Sequence, residues 1–188
     1  MTTADGSQTA PASPTAMPIA GPASFQLDAA GSTVSISHKT MWGLATVRGS
    51  FTKLSGSAEI LAGGSARGRI EIDAASIDTK NAKRDKHLRS ADFFNTANHP
   101  RIVVEVAQAV AQGSDRVATT GTLTVAGQTR PLTLTATITE STEQAITLRA
   151  DADIDRADFG VSWNQLGMIN GHAHVSVVAR YVRTAAGQ

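Results

Sequence analysis

Apolar and polar residues alternate along most of the chain from Phe25 onward, with a period of two rather than 3.6. The clearest example is RPLTLTATIT at residues 130–139, in which leucine, alanine and isoleucine alternate with threonine. This alternation is typical of a β-strand with one buried face and one solvated face. The same pattern recurs at residues 34–37, 69–73, 117–125, 146–154 and 175–181.

About eight or nine strands follow from this pattern, with glycine-containing turns between them that include a hairpin turn at Gly127-Gln128. Short connections and one-sided strands favour an antiparallel sheet. Closing such a sheet removes its unpaired edges. We therefore predict an all-β fold, an eight-stranded antiparallel β-barrel with one short helix inserted near residues 80–92.

An eight-stranded barrel is wide enough to be packed with side chains or to hold one small ligand. The inward faces carry Ala, Val, Leu, Ile and Thr, and only 4% of the residues are aromatic. Small wall residues leave space, which favours an occupied lumen. The alternation alone leaves a second possibility open, a sandwich or barrel with a filled core that serves as a protein-interaction module.

The composition limits the function classes. A chain of 188 residues fits one domain that is large enough to enclose a cavity. The formal net charge of +1 provides no long-range field for nucleic acid. Cysteine is absent, which excludes disulfides, thiolate catalysis and cysteine-ligated zinc.

Residues 1–24 consist mainly of Ala, Pro, Ser, Thr and Gly, with Asp5 as their only charge. Such a segment buries too little apolar surface to offset the entropy of ordering it, so we expect a disordered tail before a domain at 25–184. It lacks the basic start and continuous apolar run of a secretory signal. No stretch approaches the roughly 18 apolar residues of a membrane span. We expect a cytoplasmic protein without stable membrane insertion, although a mature form whose signal has been removed fits as well.

Two groups of polar residues are candidates for chemistry. His172 and His174 lie two apart on a predicted strand and could chelate a metal, but a third ligand is needed and the other histidines lie on distant elements. A metal-dependent hydrolase or isomerase is therefore the alternative to a non-enzymatic protein. Ser, His and Asp occur without the spacing of a catalytic triad, and no cofactor is expected.

The predicted helix carries a basic cluster that could receive an anionic head group. Arg84 and Arg89 are the head-group candidates, because a guanidinium offers a planar fork to phosphate. The alternative is an ordinary solvated helix face. Farther along, Arg156 with Asp158 is expected to form a loop clamp near Phe159 and Gly160 rather than a head-group site.

The segment RDKHLRSADFF at residues 84–94 resembles the R-D-x-H-L-x-S-x-D-F-F signature of the YceI-like, polyisoprenoid-binding proteins. Further segments fall in the order that this family shows, at residues 25–28, 37–39, 47–51, 72–79, 99–100, 121–131 and 154–160. The chain departs from the family at its opening, with Phe25 in place of the usual Trp, and at Asn95, where an acid is common.

The resemblance implies a lipocalin-like barrel whose interior holds a long-chain amphiphile such as a polyisoprenoid, an isoprenoid quinone or a fatty-acid-like lipid, without catalytic residues. It also makes a homodimer plausible, and secreted relatives keep the periplasm as an alternative location. Combined with the alternation, it predicts that the inward-facing apolar residues line the lumen. They are Val34, Ile36, Val47, Phe51, Ile70, Ile72, Phe94, Val104, Val106, Leu123, Val125, Leu132, Leu134, Ile146, Leu148, Trp163, Val175 and Val177.

Overall fold

The computed structural model describes residues 21–40, 44–161 and 171–184, and these form eleven strands and one α-helix. The strands are β1 (Ala23–Leu27), β2 (Thr33–Thr40), β3 (Ala45–Phe51), β4 (Leu54–Ile60), β5 (Ala66–Asp73), β6 (Ile77–Asp78), β7 (Arg101–Gln112), β8 (Arg116–Val125), β9 (Gln128–Ser141), β10 (Ala145–Asp155) and β11 (His172–Arg183). The helix α1 (Ala82–Arg89) lies between β6 and β7, and short 3-10 turns occupy Ala74–Ser76 and Arg156–Phe159. Of the tail predicted at residues 1–24, residues 1–20 lie outside the described residues, and Ala23 and Ser24 belong to β1.

Eight of these strands close into a ring through antiparallel pairing in the order β1-β4-β5-β7-β8-β9-β10-β11, with β11 paired back to β1. This closure confirms the predicted eight-stranded antiparallel barrel. The other three strands lengthen the wall at one end. For example, β11 pairs with β1 at residues 181–183 and with β2 at residues 174–178, so β1 and β2 follow one another along the same neighbour.

The two ends of the barrel differ. At the closed end, short turns join β4 to β5, β7 to β8 and β9 to β10, and a cluster of buried side chains fills the interior. Phe25, Leu27, Ile146 and Tyr181 belong to this cluster. At the opposite end, which we call the helix end, lie α1, the β8–β9 hairpin and the 3-10 turn at Arg156–Phe159.

The β8–β9 hairpin turn consists of Ala126 and Gly127, one residue earlier than the sequence predicts. Val125 pairs with Gln128, and both turn residues have positive φ, 47° and 78°. Positive φ at both central positions matches the right-handed twist of the flanking strands. A side chain at Gly127 would also collide with the ring of His99, 2.5 Å from the position of its Cβ. Glycine therefore serves both the turn and the packing of the loop beneath it.

The inserted helix is shorter than the predicted range 80–92. Asn81 caps its N-terminus by accepting a hydrogen bond from the backbone N of Arg84 (3.0 Å), and Ser90 ends it. Within the described ranges, no helix is long and apolar enough to span a membrane. The helix covers one end of the barrel, where its contacts position the residues discussed next.

Candidate ligand-binding cavity

A cavity of about 460 Å³ lies inside the barrel, between the packed closed end and the helix end. Its wall is made almost entirely of apolar side chains from β2, β3, β5 and β7–β11. The volume falls within the roughly 300–1,000 Å³ that is typical of ligand pockets. A cavity of this size is at odds with the filled-core alternative.

Apart from Ile146 and Trp163, every residue of the predicted lining set contacts this cavity. Ile146 belongs to the buried cluster that fills the closed end and does not border the cavity. Alternation tells which face a residue occupies and not how deep it lies along the barrel axis. Trp163 lies outside the described residues. Whether the lining residues touch a ligand stays a prediction.

Five alanines that the prediction leaves out line the cavity, and their short side chains leave much of its space open. They are Ala136, Ala150, Ala152, Ala173 and Ala179. The prediction also leaves out Tyr181, which lines the cavity at the bottom. The signal for these alanines is the same alternation that identifies their larger neighbours. A preference for bulky apolar residues hides them, although a short side chain on the inner face is what leaves a cavity open.

Phe93 and Phe94 occupy different places at the helix end. Phe93 is buried with Phe159 and Val161 in a small cluster. Phe94 packs edge-on against Phe51, with ring centroids 5.9 Å apart. Both side chains line the cavity. The paired aromatics therefore both contribute to the cavity wall at this end, where the predicted lining set includes only Phe94.

A buried carboxylate ties α1 to the chain that precedes it. Asp85 Oδ1 accepts hydrogen bonds from the backbone N (3.0 Å) and the hydroxyl (2.5 Å) of Thr79, and both residues are buried. Charge-assisted hydrogen bonds of this kind are stronger than neutral ones. They hold the helix over the barrel end.

The two head-group candidates on α1 have internal partners. Arg84 lines the cavity, but its Nε and Nη2 donate to the hydroxyl and the carbonyl oxygen of Thr79, each at 2.7 Å. Arg89 donates from Nε to the carbonyl of Ala75 (2.7 Å) and from Nη2 to that of Ile77 (2.8 Å). Arg84 thus stabilises the β6–α1 connection, and Arg89 ties α1 to the chain that precedes it. These contacts favour a structural role over a head-group role for both arginines.

Other polar side chains at the helix end belong to His38 and Arg156, and both line the cavity. Burial lowers the pKa of the His38 imidazole below its usual value, and the nearby positive charge of Arg156 lowers it further. Burial also lowers the pKa of the Arg156 guanidinium, although Asp155 acts in the opposite direction. The predicted clamp between Arg156 and Asp158 does not occur among the ion pairs of the described residues.

The histidine pair on β11 is exposed on the outside of the barrel. The ring of His174 contacts carboxylates of the neighbouring strand, with Nδ1 3.0 Å from Asp153 Oδ1 and Nε2 3.6 Å from Asp151 Oδ1. In the part of the chain that the structure describes, no group of three or more His, Asp or Glu side chains is placed to hold a metal ion. No observation therefore favours the metal-dependent alternative.

The sequence matches a known domain family and several known proteins. The model of the YceI-like domain matches residues 25–181. Protein YceI of Escherichia coli O157:H7 is 46% identical over 67 residues, which is 36% of this chain and 35% of that protein. A UPF0312 protein of Vibrio cholerae is 31% identical over 123 residues, 62% of this chain and 64% of the relative. The matched stretch thus spans about a third of the E. coli relative.

Two solved structures are similar to the whole barrel. BcnA of Burkholderia cenocepacia superposes with a TM-score of 0.74 at 21% identity, over 82% of this chain and 98% of that one. A polyisoprenoid binding domain from Saccharophagus degradans superposes with a TM-score of 0.69 at 20% identity, over 85% of this chain and 98% of that one. At this level of identity, the likeness establishes the fold.

Proposed function

The chain belongs to the YceI-like domain family, and we propose that it is a non-enzymatic protein that binds, stores or transports a long-chain amphiphile in its barrel. A polyisoprenoid, an isoprenoid quinone or a fatty-acid-like lipid is the ligand class. The similar Saccharophagus degradans domain is described as polyisoprenoid binding, which supports this choice.

The observation that carries the proposal is the apolar cavity itself. It extends from Ala136, Ala179 and Tyr181, next to the packed closed end, to Leu88 of α1 and to Phe93, which follows the helix. Each methylene group that moves from water into such a space contributes about 0.8 kcal/mol. An apolar wall is sufficient for a hydrocarbon tail, which needs no polar partners. The helix end, where the wall includes loops and a single helix, is the proposed entrance.

Affinity is expected to rise with the length of the ligand until the cavity is full. Drug-sized ligands realise roughly 0.3 kcal/mol per heavy atom, so each five-carbon prenyl unit should tighten binding about ten-fold. The series geraniol, farnesol and geranylgeraniol, each kept below its aggregation concentration, would be titrated against a fluorescent fatty-acid probe. Equal affinity across the series would speak against binding in the cavity.

A cavity-filling variant locates the binding. Ala150 lines the cavity on β10, and its neighbour Arg149 points outward with an exposed side chain. Ala150→Trp should weaken geranylgeraniol binding more than geraniol binding, because the indole shortens the space for the tail. Arg149→Trp is the matched control and should leave both affinities unchanged.

A further inference from the structure

Backbone hydrogen bonds fix the position of Arg156 at the end of β10. Arg156 follows the last residue of β10 and begins the 3-10 turn. Its backbone N donates to the carbonyl of Gly171 (3.0 Å), and its carbonyl accepts from the backbone N of Val161 (3.1 Å). Asp155 caps the turn by accepting from the backbone N of Ala157 (2.9 Å). These bonds hold Arg156 at the rim of the cavity, which its side chain lines.

The guanidinium of Arg156 lacks the partners that the other two arginines have. Its Nε and Nη1 atoms are buried, and neither has a hydrogen-bond partner among the described residues. An arginine side chain stays charged in proteins and cannot avoid the cost of burial by losing its proton. Buried N–H donors without an acceptor are unfavourable, and this holds here although the negative charge of Asp155 also acts on the guanidinium. Such a group at the wall of a cavity points to an anion that completes it.

His38 adds a second donor on the same cavity. It lies near the end of β2, close enough to Arg156 for that charge to lower its pKa. An imidazole has at least one N–H to donate in either protonation state. Asp151 of β10 also borders the cavity, but its carboxylate contacts Arg149 and His174 on the outer surface. Its negative charge is thus engaged away from Arg156.

We propose that Arg156, assisted by His38, is the subsite for an acidic head group, a carboxylate or a phosphate, at the helix end of the cavity. This inference rests on the proposed function, since the tail of the same ligand occupies the apolar lumen. The planar guanidinium can donate from Nε and Nη1 to two oxygens of one anion. The site would therefore select acidic amphiphiles over neutral alcohols of the same length.

The test compares three ligands with the same tail, geranylgeranyl phosphate, geranylgeranoic acid and geranylgeraniol, on the wild-type protein and on Arg156→Met. The wild type should bind at least one acidic ligand about 10- to 100-fold more tightly than the alcohol, as loss of a charge-assisted hydrogen bond implies. Arg156→Met should remove that preference, because it should weaken binding of the acidic ligand about 10- to 100-fold more than binding of the alcohol. Whichever acidic ligand shows the preference identifies the anion.

Arg130→Met is the matched control, because Arg130 is exposed at the same end and is absent from the cavity wall. It should retain the preference for the acidic ligand. Thermal unfolding without ligand is a second readout. Removing two buried N–H donors that have no acceptor should leave the Tm of Arg156→Met equal to or above that of the wild type, whereas loss of a structural clamp would lower it.

Failure of the subsite and failure of the proposed function would give different results. If the wild type binds all three ligands with equal affinity, or if Arg156→Met weakens all three equally, the subsite is wrong while the lipid cavity stands. If the wild type binds none of the three, the proposed function fails, and the subsite fails with it.

Discussion

Leu134→Arg is expected to abolish lipid binding, with a loss of more than about 100-fold in affinity. Leu134 lines the cavity on β9, where it pairs across the sheet with Thr119 of β8. An arginine there would place a charge without a partner among apolar side chains, which costs several kcal/mol. Displacement of the fluorescent probe by geranylgeraniol measures the effect.

The control for this substitution lies one residue farther along the same strand. Thr135 is exposed on the outer face of β9, so Thr135→Arg adds the same charge without entering the cavity and should bind as the wild type does. Circular dichroism establishes that each variant is folded. Leu148→Arg, on the neighbouring β10, tests the same wall a second time. Wild-type affinity in a folded Leu134→Arg or Leu148→Arg protein would contradict the assignment of the lumen as the binding site.

Asp85→Ala is expected to produce the largest loss of stability in the helical insertion. The substitution removes both hydrogen bonds to Thr79 and leaves the buried backbone N–H of that residue without its acceptor. Hydrogen bonds to a charged group contribute about 1.5–3 kcal/mol each, so the free energy of unfolding should fall by about 3 kcal/mol or more. For a domain of this size, Tm should fall by roughly 6–12 °C in a calorimetric scan.

Asp92→Ala provides the comparison within the same insertion. The Asp92 carboxylate is 55% exposed and lies 3.4 Å from the ring of His87. Exposed pairs contribute about 1 kcal/mol at most, so Tm should change by a few degrees or less. Equal losses in the two variants would show that the carboxylate of Asp85 does not anchor α1.

The walls of the barrel could be predicted from the sequence because a strand with one buried face has a period of two. The threonine ladder opposite Leu132 and Leu134 is the clearest example, and both leucines line the cavity. Depth along the barrel axis has no such signal. Ile146 follows the same alternation as Leu148, yet it packs into the closed end beside Tyr181 while Leu148 reaches the cavity.

The break between β1 and β2 in the barrel wall also depends on contacts between residues that are distant in sequence. β1 and β2 are separated by a turn in which Ser32 Oγ donates to the carbonyl of Asp28 (2.7 Å). Arg180 of β11 packs against this turn, with its Cδ 2.5 Å from where a Cβ of Gly31 would lie. Glycine at position 31 indicates a turn, but the sequence does not show that the strands on either side share one neighbour.

The head-group prediction depended on charge and on the fork geometry of arginine, and neither shows which groups already have partners. Arg84 and Arg89 lie in a basic cluster that is easily recognised, but they donate to Thr79, Ala75 and Ile77. Arg156 stands apart in a loop motif, and its buried nitrogens become evident only when the barrel is closed. The hydrogen bonds that Arg84 and Arg89 make to the preceding chain, and that Arg156 does not make, decide between these arginines.

The most direct measurement is native mass spectrometry of the freshly purified full chain, with mass spectrometry of its organic extract alongside. We predict one amphiphile per chain, either retained from the expression host or taken up when geranylgeranyl phosphate or oleate is added, and absent from Leu134→Arg. A protein that stays at the mass of the unliganded chain with every added lipid would contradict the proposed function.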